Sequence, residues 1–148
     1  MADETESRPV EILLAEDNPG DVKLTRKALE RGNVLNNLHV VTDGVEAMKY
    51  LRQEGEYAGE PRPDLLLLDL NMPKKGGKEV LRDVKSDPEL KRIPVVVLTS
   101  SEAEEDIVES YDLHANAYLT KPVDFDGFIE IVSHVEDFWL TVVKRPPE

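Results

Sequence analysis

The chain contains no cysteine. That excludes disulfides, thiolate nucleophiles and Cys-ligated zinc, and it fits a protein working in a reducing cytoplasm. Segments for entering a membrane are missing too. Met1 to Glu11 is acidic, with neither the basic region nor the apolar core of a signal peptide, and no apolar run approaches the roughly 20 residues a spanning helix needs. Basic charge is scarce: 18 Lys and Arg stand against 31 Asp and Glu, so the formal net charge is 18 minus 31, or -13. Such a charge repels phosphate backbones, and the densest basic cluster, Lys74, Lys75 and Lys78, is too small to override it. The expectation is a soluble cytoplasmic protein that binds neither nucleic acid nor membrane. Its 148 residues fit one domain. A chain of that size buries roughly 68–70% of its unfolded surface, enough for a core without covalent staples.

Short apolar runs alternate with longer segments of helical period, five times over, with no Ser/Gly-rich linker between units. This pattern predicts an α/β fold with a parallel sheet and helices on both faces. The predicted strands are Val10 to Ala15, Leu38 to Thr42, Asp64 to Asp69, Pro94 to Thr99 and Ala115 to Thr120. Leu65-Leu66-Leu67-Leu68 and Val95-Val96-Val97-Leu98 do not alternate in polarity, which suits central strands covered on both sides. Asn18-Pro19 offers an N-cap and a proline at the first helical position, opening a helix to about Arg31, with Asp21 near the positive end of its dipole. Asp43 to Glu46 and Ser101 to Glu104 have capping-box spacing and predict helices near 44–53 and 102–112. Val80, Leu81 and Val84 mark the apolar face of another. The last and longest helix opens at Asp124 and closes near Lys144, before Pro146-Pro147. Gln53 to Pro63 is polar and holds Gly and Pro, so a surface loop is expected.

If the first and third strands are neighbours in a doubly wound sheet, their carboxyl ends lie together where such folds bind ligands. Glu16 and Asp17 close the first strand, and Asp69 closes the third. Taken singly, an acid at a strand end is ordinarily a cap or a solvated turn; three together are not. Two carboxylates about 4 Å apart repel by about 4 kcal/mol at an effective dielectric near 20, so the cluster needs a cation. Oxygen-only ligands point to Mg²⁺. The fourth and fifth strands end in Thr99 and Lys121, which add a hydroxyl and an ammonium to the same rim. That set suits phosphoryl transfer, where positioning and charge neutralisation do most of the work, with Asp69 able to hold an acyl phosphate.

These residues resemble the receiver domains of two-component response regulators. The resemblance runs from about Val10 to Val143 and rests on Leu13-Leu14-Ala15-Glu16-Asp17-Asn18, Asp64-Leu65-Leu66-Leu67-Leu68-Asp69-Leu70-Asn71-Met72-Pro73, Val97-Leu98-Thr99-Ser100 and Tyr118-Leu119-Thr120-Lys121-Pro122. It implies a flavodoxin-like strand order 2-1-3-4-5 and phosphoryl transfer to Asp69 from a sensor histidine kinase. It also implies Mg²⁺ held by Glu16, Asp17, Asp69 and the Asn71 carbonyl, Thr99 and Lys121 on phosphoryl oxygens, Tyr118 as a rotameric switch and a cis bond before Pro122. Asn18-Pro19-Gly20-Asp21-Val22, Asn37-Leu38-His39-Val40-Val41, Tyr111-Asp112-Leu113-His114-Ala115-Asn116 and Glu136-Asp137-Phe138-Trp139-Leu140 are similar to the single-domain regulators that partner bacterial and cyanobacterial phytochromes. One departure is Gly76, where the family usually has an acidic or amide residue before the turn glycine, here Gly77; it predicts a more flexible loop after Asp69.

The expectation is a single receiver domain over 1–148, with its core at about 10–143 and tails at 1–9 and 145–148. It would signal through a phosphorylation-dependent protein surface and act as a phosphoacceptor with self-dephosphorylation, not as an enzyme. Two rivals stand beside it: a Mg²⁺-dependent aspartyl phosphatase, for which Asn71 replaces the usual second Asp, and an interaction module indifferent to phosphorylation. His39, His114 and His134 share no ligand spacing and are expected to be structural or surface residues. Phe138, Trp139, Leu140, Val142 and Val143 crowd the last helix with more apolar residues than one face against a sheet can hide. A homodimer through that helix is expected, with Phe138, Trp139 and Val143 at its interface.

Overall fold

A strand buried on both faces has no polar side to show, and the two non-alternating runs meet that condition. In the computed structural model, which describes residues 9–31, 36–100, 115, 117–121, 123 and 126–127, every residue of Leu65 to Leu68 and of Val95 to Val97 is fully buried. The elements are β1 (Val10–Ala15), α1 (Pro19–Arg31), β2 (Asn36–Val41), α2 (Gly44–Leu51), a 3₁₀ turn (Gly55–Tyr57), β3 (Leu65–Asp69), α3 (Gly77–Ser86), β4 (Val95–Thr99) and β5 (Ala117–Thr120). All five strands are parallel, in the order β2-β1-β3-β4-β5. That is the doubly wound order implied by the resemblance. The expected helix near 102–112 and nearly all of the last helix lie outside the described residues, as does Pro122; Asp126 and Gly127 are helical.

Alternation along the strands divides the core in two. Leu13, Ala15, Leu66, Leu68, Val95 and Val97 pack with α2 and α3, whereas Ile12, Leu14, Leu65, Leu67, Val96 and Leu98 pack with Ala28 and Leu29 of α1. Each fully buried leucine contributes about 1.5–3 kcal/mol relative to an exposed one, so these layers supply most of the cohesion. Among the described residues no helix is long and apolar enough to cross a membrane.

The two predicted helix starts that lie among the described residues, Asn18 and Asp43, are capped by their side chains. Asn18 Oδ1 accepts from the amides of Gly20 at 2.8 Å and Asp21 at 3.1 Å. Asp43, in extended conformation, accepts from the Glu46 amide at 2.8 Å. Boundaries shift where tertiary contacts outweigh local pattern. β2 begins at Asn36 and not Leu38, because its ladder with β1 runs on to Val10 and Asn37 Nδ2 donates to Glu11 Oε2 at 2.9 Å. β3, β4 and β5 begin one or two residues later than predicted, and α2 stops at Leu51, followed by Gln53 at φ 56°. The Gln53 to Pro63 segment is a loop, yet it is tied down: Gln53 Nε2 donates to the Glu60 carbonyl at 2.7 Å and the Tyr57 hydroxyl to Glu46 Oε1 at 2.6 Å. His39 is structural, with Nε2 2.8 Å from Glu11 Oε1 and its ring 5.5 Å from that of Tyr50.

The Tyr50 hydroxyl is buried with no hydrogen-bond partner among the described residues. Burial, then the charges of Glu60 and Glu11, push its pKa up to about 12. The folded state therefore keeps a proton that an unfolded tyrosine releases near pH 10, and stability falls as pH rises from 10 to 12. Tyr50→Phe is expected to match or exceed the parent at pH 7, by about 1 kcal/mol at most. Above pH 10 its advantage should grow. Urea unfolding across that range checks it, and a variant weaker than the parent at pH 7 would show that the hydroxyl is stabilising.

Candidate functional site

The parallel register brings the carboxyl ends of four strands to one rim. Ala15 pairs with Leu68, Asp69 with Leu98 and Thr99 with Thr120, so Glu16 and Asp69 are level, with Thr99 and Lys121 one and two residues further along the neighbouring strands. The Lys121 amide extends the β4–β5 ladder by donating to the Thr99 carbonyl at 2.8 Å. By alternation Glu16, Asp69 and Lys121 belong to the α1 side of the sheet, along with Leu14, Leu67 and Leu119.

At that rim the Lys121 ammonium lies 3.0 Å from Glu16 Oε1, 3.1 Å from Asp21 Oδ2 and 3.3 Å from Asp69 Oδ1. Glu16 and Asp69 are only 1% and 3% exposed, whereas Asp17 faces solvent. Oxygens of Glu16, Asp17 and Asp69 all lie within 4.8 Å of one another. The Asn18 amide donates to Glu16 Oε2 at 3.2 Å, and the Asn71 amide to Asp69 Oδ1 at 3.3 Å. Burial raises the Glu16 carboxyl to about 7, against the lowering effect of Lys121 and with the Asp69 charge adding to the rise. Burial alone would lower the Lys121 ammonium, but its contacts with Glu16 and Asp21 and the charge of Asp69 outweigh it and raise the pKa. Three carboxylates thus meet one ammonium, with the solvent-facing Asp17 beside them.

The donor set fits a hard divalent cation: three carboxylates within reach of one another, all oxygen, and a buried Glu16 Oε1 that lacks an aligned hydrogen-bond donor. Thr99 is fully buried and its Oγ1 has no hydrogen-bond partner among the described residues. A buried hydroxyl without a partner costs stability unless a ligand meets it. Tyr118 pairs with Val97 and is half-buried against the α2 and α3 layer, on the same side as Val97 and Thr99 by alternation. Asn71 is exposed in the loop after β3. Of the expected site residues, Pro122, Phe138, Trp139 and Val143 lie outside the described set.

The model of the response regulator receiver domain family matches residues 12–133. This chain is a response regulator receiver. Response regulator Rcp1 of Synechocystis sp. is 47% identical to the receiver over 146 residues, 99% of each chain. The structure of the phosphorylated cyanobacterial phytochrome response regulator RcpA superposes with a TM-score of 0.74 at 55% identity, covering 90% of this chain and 95% of that one. The Mn²⁺-bound form of Rcp1 gives 0.72 at 48% identity, covering 89% and 95%. The receiver thus belongs to a family that includes a divalent-metal-bound member, and it carries an acidic cluster of its own.

Sequence reasoning missed Asp21 as a member of this site. It was legible only as an acid in the first turn of α1. Because α1 starts three residues after β1, that turn stands over the strand end, and a carboxylate there faces the same rim.

The raised Glu16 pKa has a consequence for the metal-free receiver. An unfolded glutamate deprotonates near 4.5 and the folded one near 7, so Glu16 makes stability fall as pH rises through that window. Glu16→Gln is expected to remove this contribution. The parent-minus-variant difference in unfolding free energy, measured in EDTA, should decline from pH 4.5 to 7; a flat difference would show that Glu16 is not the responsible group.

Proposed function

We propose that the receiver accepts a phosphoryl group on Asp69 from a histidine kinase and holds Mg²⁺ with Glu16, Asp17, Asp69 and the Asn71 carbonyl. The observation that carries this reading is the meeting of Asp69 Oδ1 and Lys121 Nζ at 3.3 Å inside an acidic cluster. The buried Thr99 hydroxyl on the adjacent strand, without a partner among the described residues, supports it. In the transfer, an Asp69 carboxylate oxygen forms a bond to phosphorus as the N–P bond of a kinase phosphohistidine breaks, its electron pair returning to the imidazole. The Lys121 ammonium takes one phosphoryl oxygen and the Thr99 hydroxyl donates to another, matching charge that would otherwise repel the carboxylates. The divalent cation, when bound, neutralises charge on the phosphoryl oxygens and the acidic residues.

Water then hydrolyses the acyl phosphate, returning Asp69 to its carboxylate, so the protein is a phosphoacceptor and not a turnover enzyme. A phosphatase reading has no support at Asn71, whose amide cannot replace a carboxylic acid as proton donor. Identity to Rcp1 and RcpA supports a phytochrome-type histidine kinase as the partner. We read the chain as one cytoplasmic domain whose output is binding to another protein, with Thr99 and Tyr118 on one side of the sheet relaying the phosphorylated state. A homodimer through Phe138, Trp139 and Val143 rests on the sequence pattern alone.

Acetyl phosphate with Mg²⁺ is expected to add one phosphoryl group by intact mass, and Asp69→Asn should abolish labelling. Equal labelling of that variant at the same peptide would remove Asp69 from its role. For pairing, sedimentation equilibrium is expected to show a dimer whose dissociation constant rises at least tenfold in Trp139→Ala. A monomeric parent, or an unchanged constant, would exclude the proposed interface.

A further inference from the structure

In the loop between β3 and α3, Gly76 has an unremarkable φ of -77° and serves as the residue preceding α3. The unusual residue is Lys74, which lies in the left-handed region at φ 65°. The next residue's amide, Lys75 N–H, donates back to the Pro73 carbonyl at 2.7 Å. A three-residue turn with positive φ at its centre is the rare, strained form, and a side chain at that centre makes it worse. Such a conformation persists only where its surroundings over-determine it.

The surroundings are the start of α2. A Cβ on Gly44 would collide with the Lys75 carbonyl and lie 2.7 Å from its carbonyl carbon, so the loop backbone rests directly on the first helical residue of α2. Next to it, Asp43 Oδ2 lies 3.6 Å from Lys74 Nζ while Oδ1 caps the helix. The far end of the loop is closed in the same way: the Gly77 amide donates to the Leu70 carbonyl at 3.0 Å, and a Cβ on Gly77 would lie 2.7 Å from Leu70 Cα. Lys75 is further tied to Asp83 of α3. Within these ties stands Asn71.

We propose that Asp43 and Gly44 are positioning residues that press the strained Lys74 turn into place, and that this pressure sets the Asn71 carbonyl for the cation. The inference rests on the reading of Glu16, Asp17, Asp69 and Asn71 as the cation site. It gives α2 a direct mechanical link to the phosphoryl chemistry, separate from Thr99 and Tyr118. It also explains a glycine at the first position of a helix, where alanine would be favoured by helix propensity.

Mg²⁺ titrations followed by amide NMR on the parent and on Gly44→Ala, Asp43→Asn and Lys74→Met test the clamp without any phosphorylation step. Gly44→Ala is expected to weaken Mg²⁺ roughly tenfold, at the low end for groups supporting metal ligands. The other two should weaken it roughly two- to fivefold, the range of a partly exposed ion pair. Lys74→Met decides between the clamp and simple electrostatics. Removing a positive charge tightens a cation by Coulomb attraction alone, whereas releasing the loop weakens it. Equal or tighter binding by Lys74→Met overturns the clamp, whatever Gly44→Ala does. A parent that binds no Mg²⁺ overturns the site reading itself. Lys74 is largely exposed, so its variant keeps the test decisive if Gly44→Ala fails to fold.

Discussion

A cluster of four carboxylates, three of them in contact with one ammonium, is the arrangement on which the rest of the molecule is organised. Glu16, Asp17, Asp21 and Asp69 come from two different segments, and Lys121 reaches Glu16, Asp21 and Asp69 from a third. A buried cluster of this kind is a poor source of stability, because desolvating the charges costs about as much as their attraction returns. The fold supplies what the cluster does not. Leu65 to Leu68 and Val95 to Val97, buried on both faces, hold the rim in register. The excess negative charge then remains for a divalent cation and a phosphoryl group to balance.

The sheet also separates tasks by the alternation of its side chains. Glu16, Asp69 and Lys121 fall on the α1 side, whereas Thr99 and Tyr118 fall on the α2 and α3 side. The loop after β3 carries a third influence, since its backbone rests on Gly44 and closes on Gly77. Rigid strand ends and a strained loop meet at Asp69, which suits a site that must hold its geometry while its charge changes.

Much of this was legible in advance for identifiable reasons. Unbroken leucine and valine runs mark central strands whatever the fold, because only coverage on both faces permits them. Asn18 and Asp43 announce helix starts because capping is a local interaction. Glu16, Asp69, Thr99 and Lys121 could be placed on one rim because each ends its strand and all the strands run parallel. The misreadings arise where distant groups decide. Nothing local shows that Asn36 and Asn37 extend β2, since that depends on the β1 ladder and on Glu11. Nor does anything local show that Lys74 takes a positive φ or that the loop backbone rests on Gly44.

The amino-acid sequence by itself determined the α/β class, the strand and helix order and the acidic, hydroxyl and ammonium groups at the strand ends, because periodicity, capping and residue chemistry act over a few neighbouring positions. Only the tertiary structure decided that Asp21 joins Lys121, that Glu16 is buried deeply enough to hold its proton to about pH 7, and that Gly44 bears on the loop after Asp69. Those outcomes depend on which surfaces the packed sheet brings within a few ångströms of one another, and distances between remote segments are not carried by local pattern.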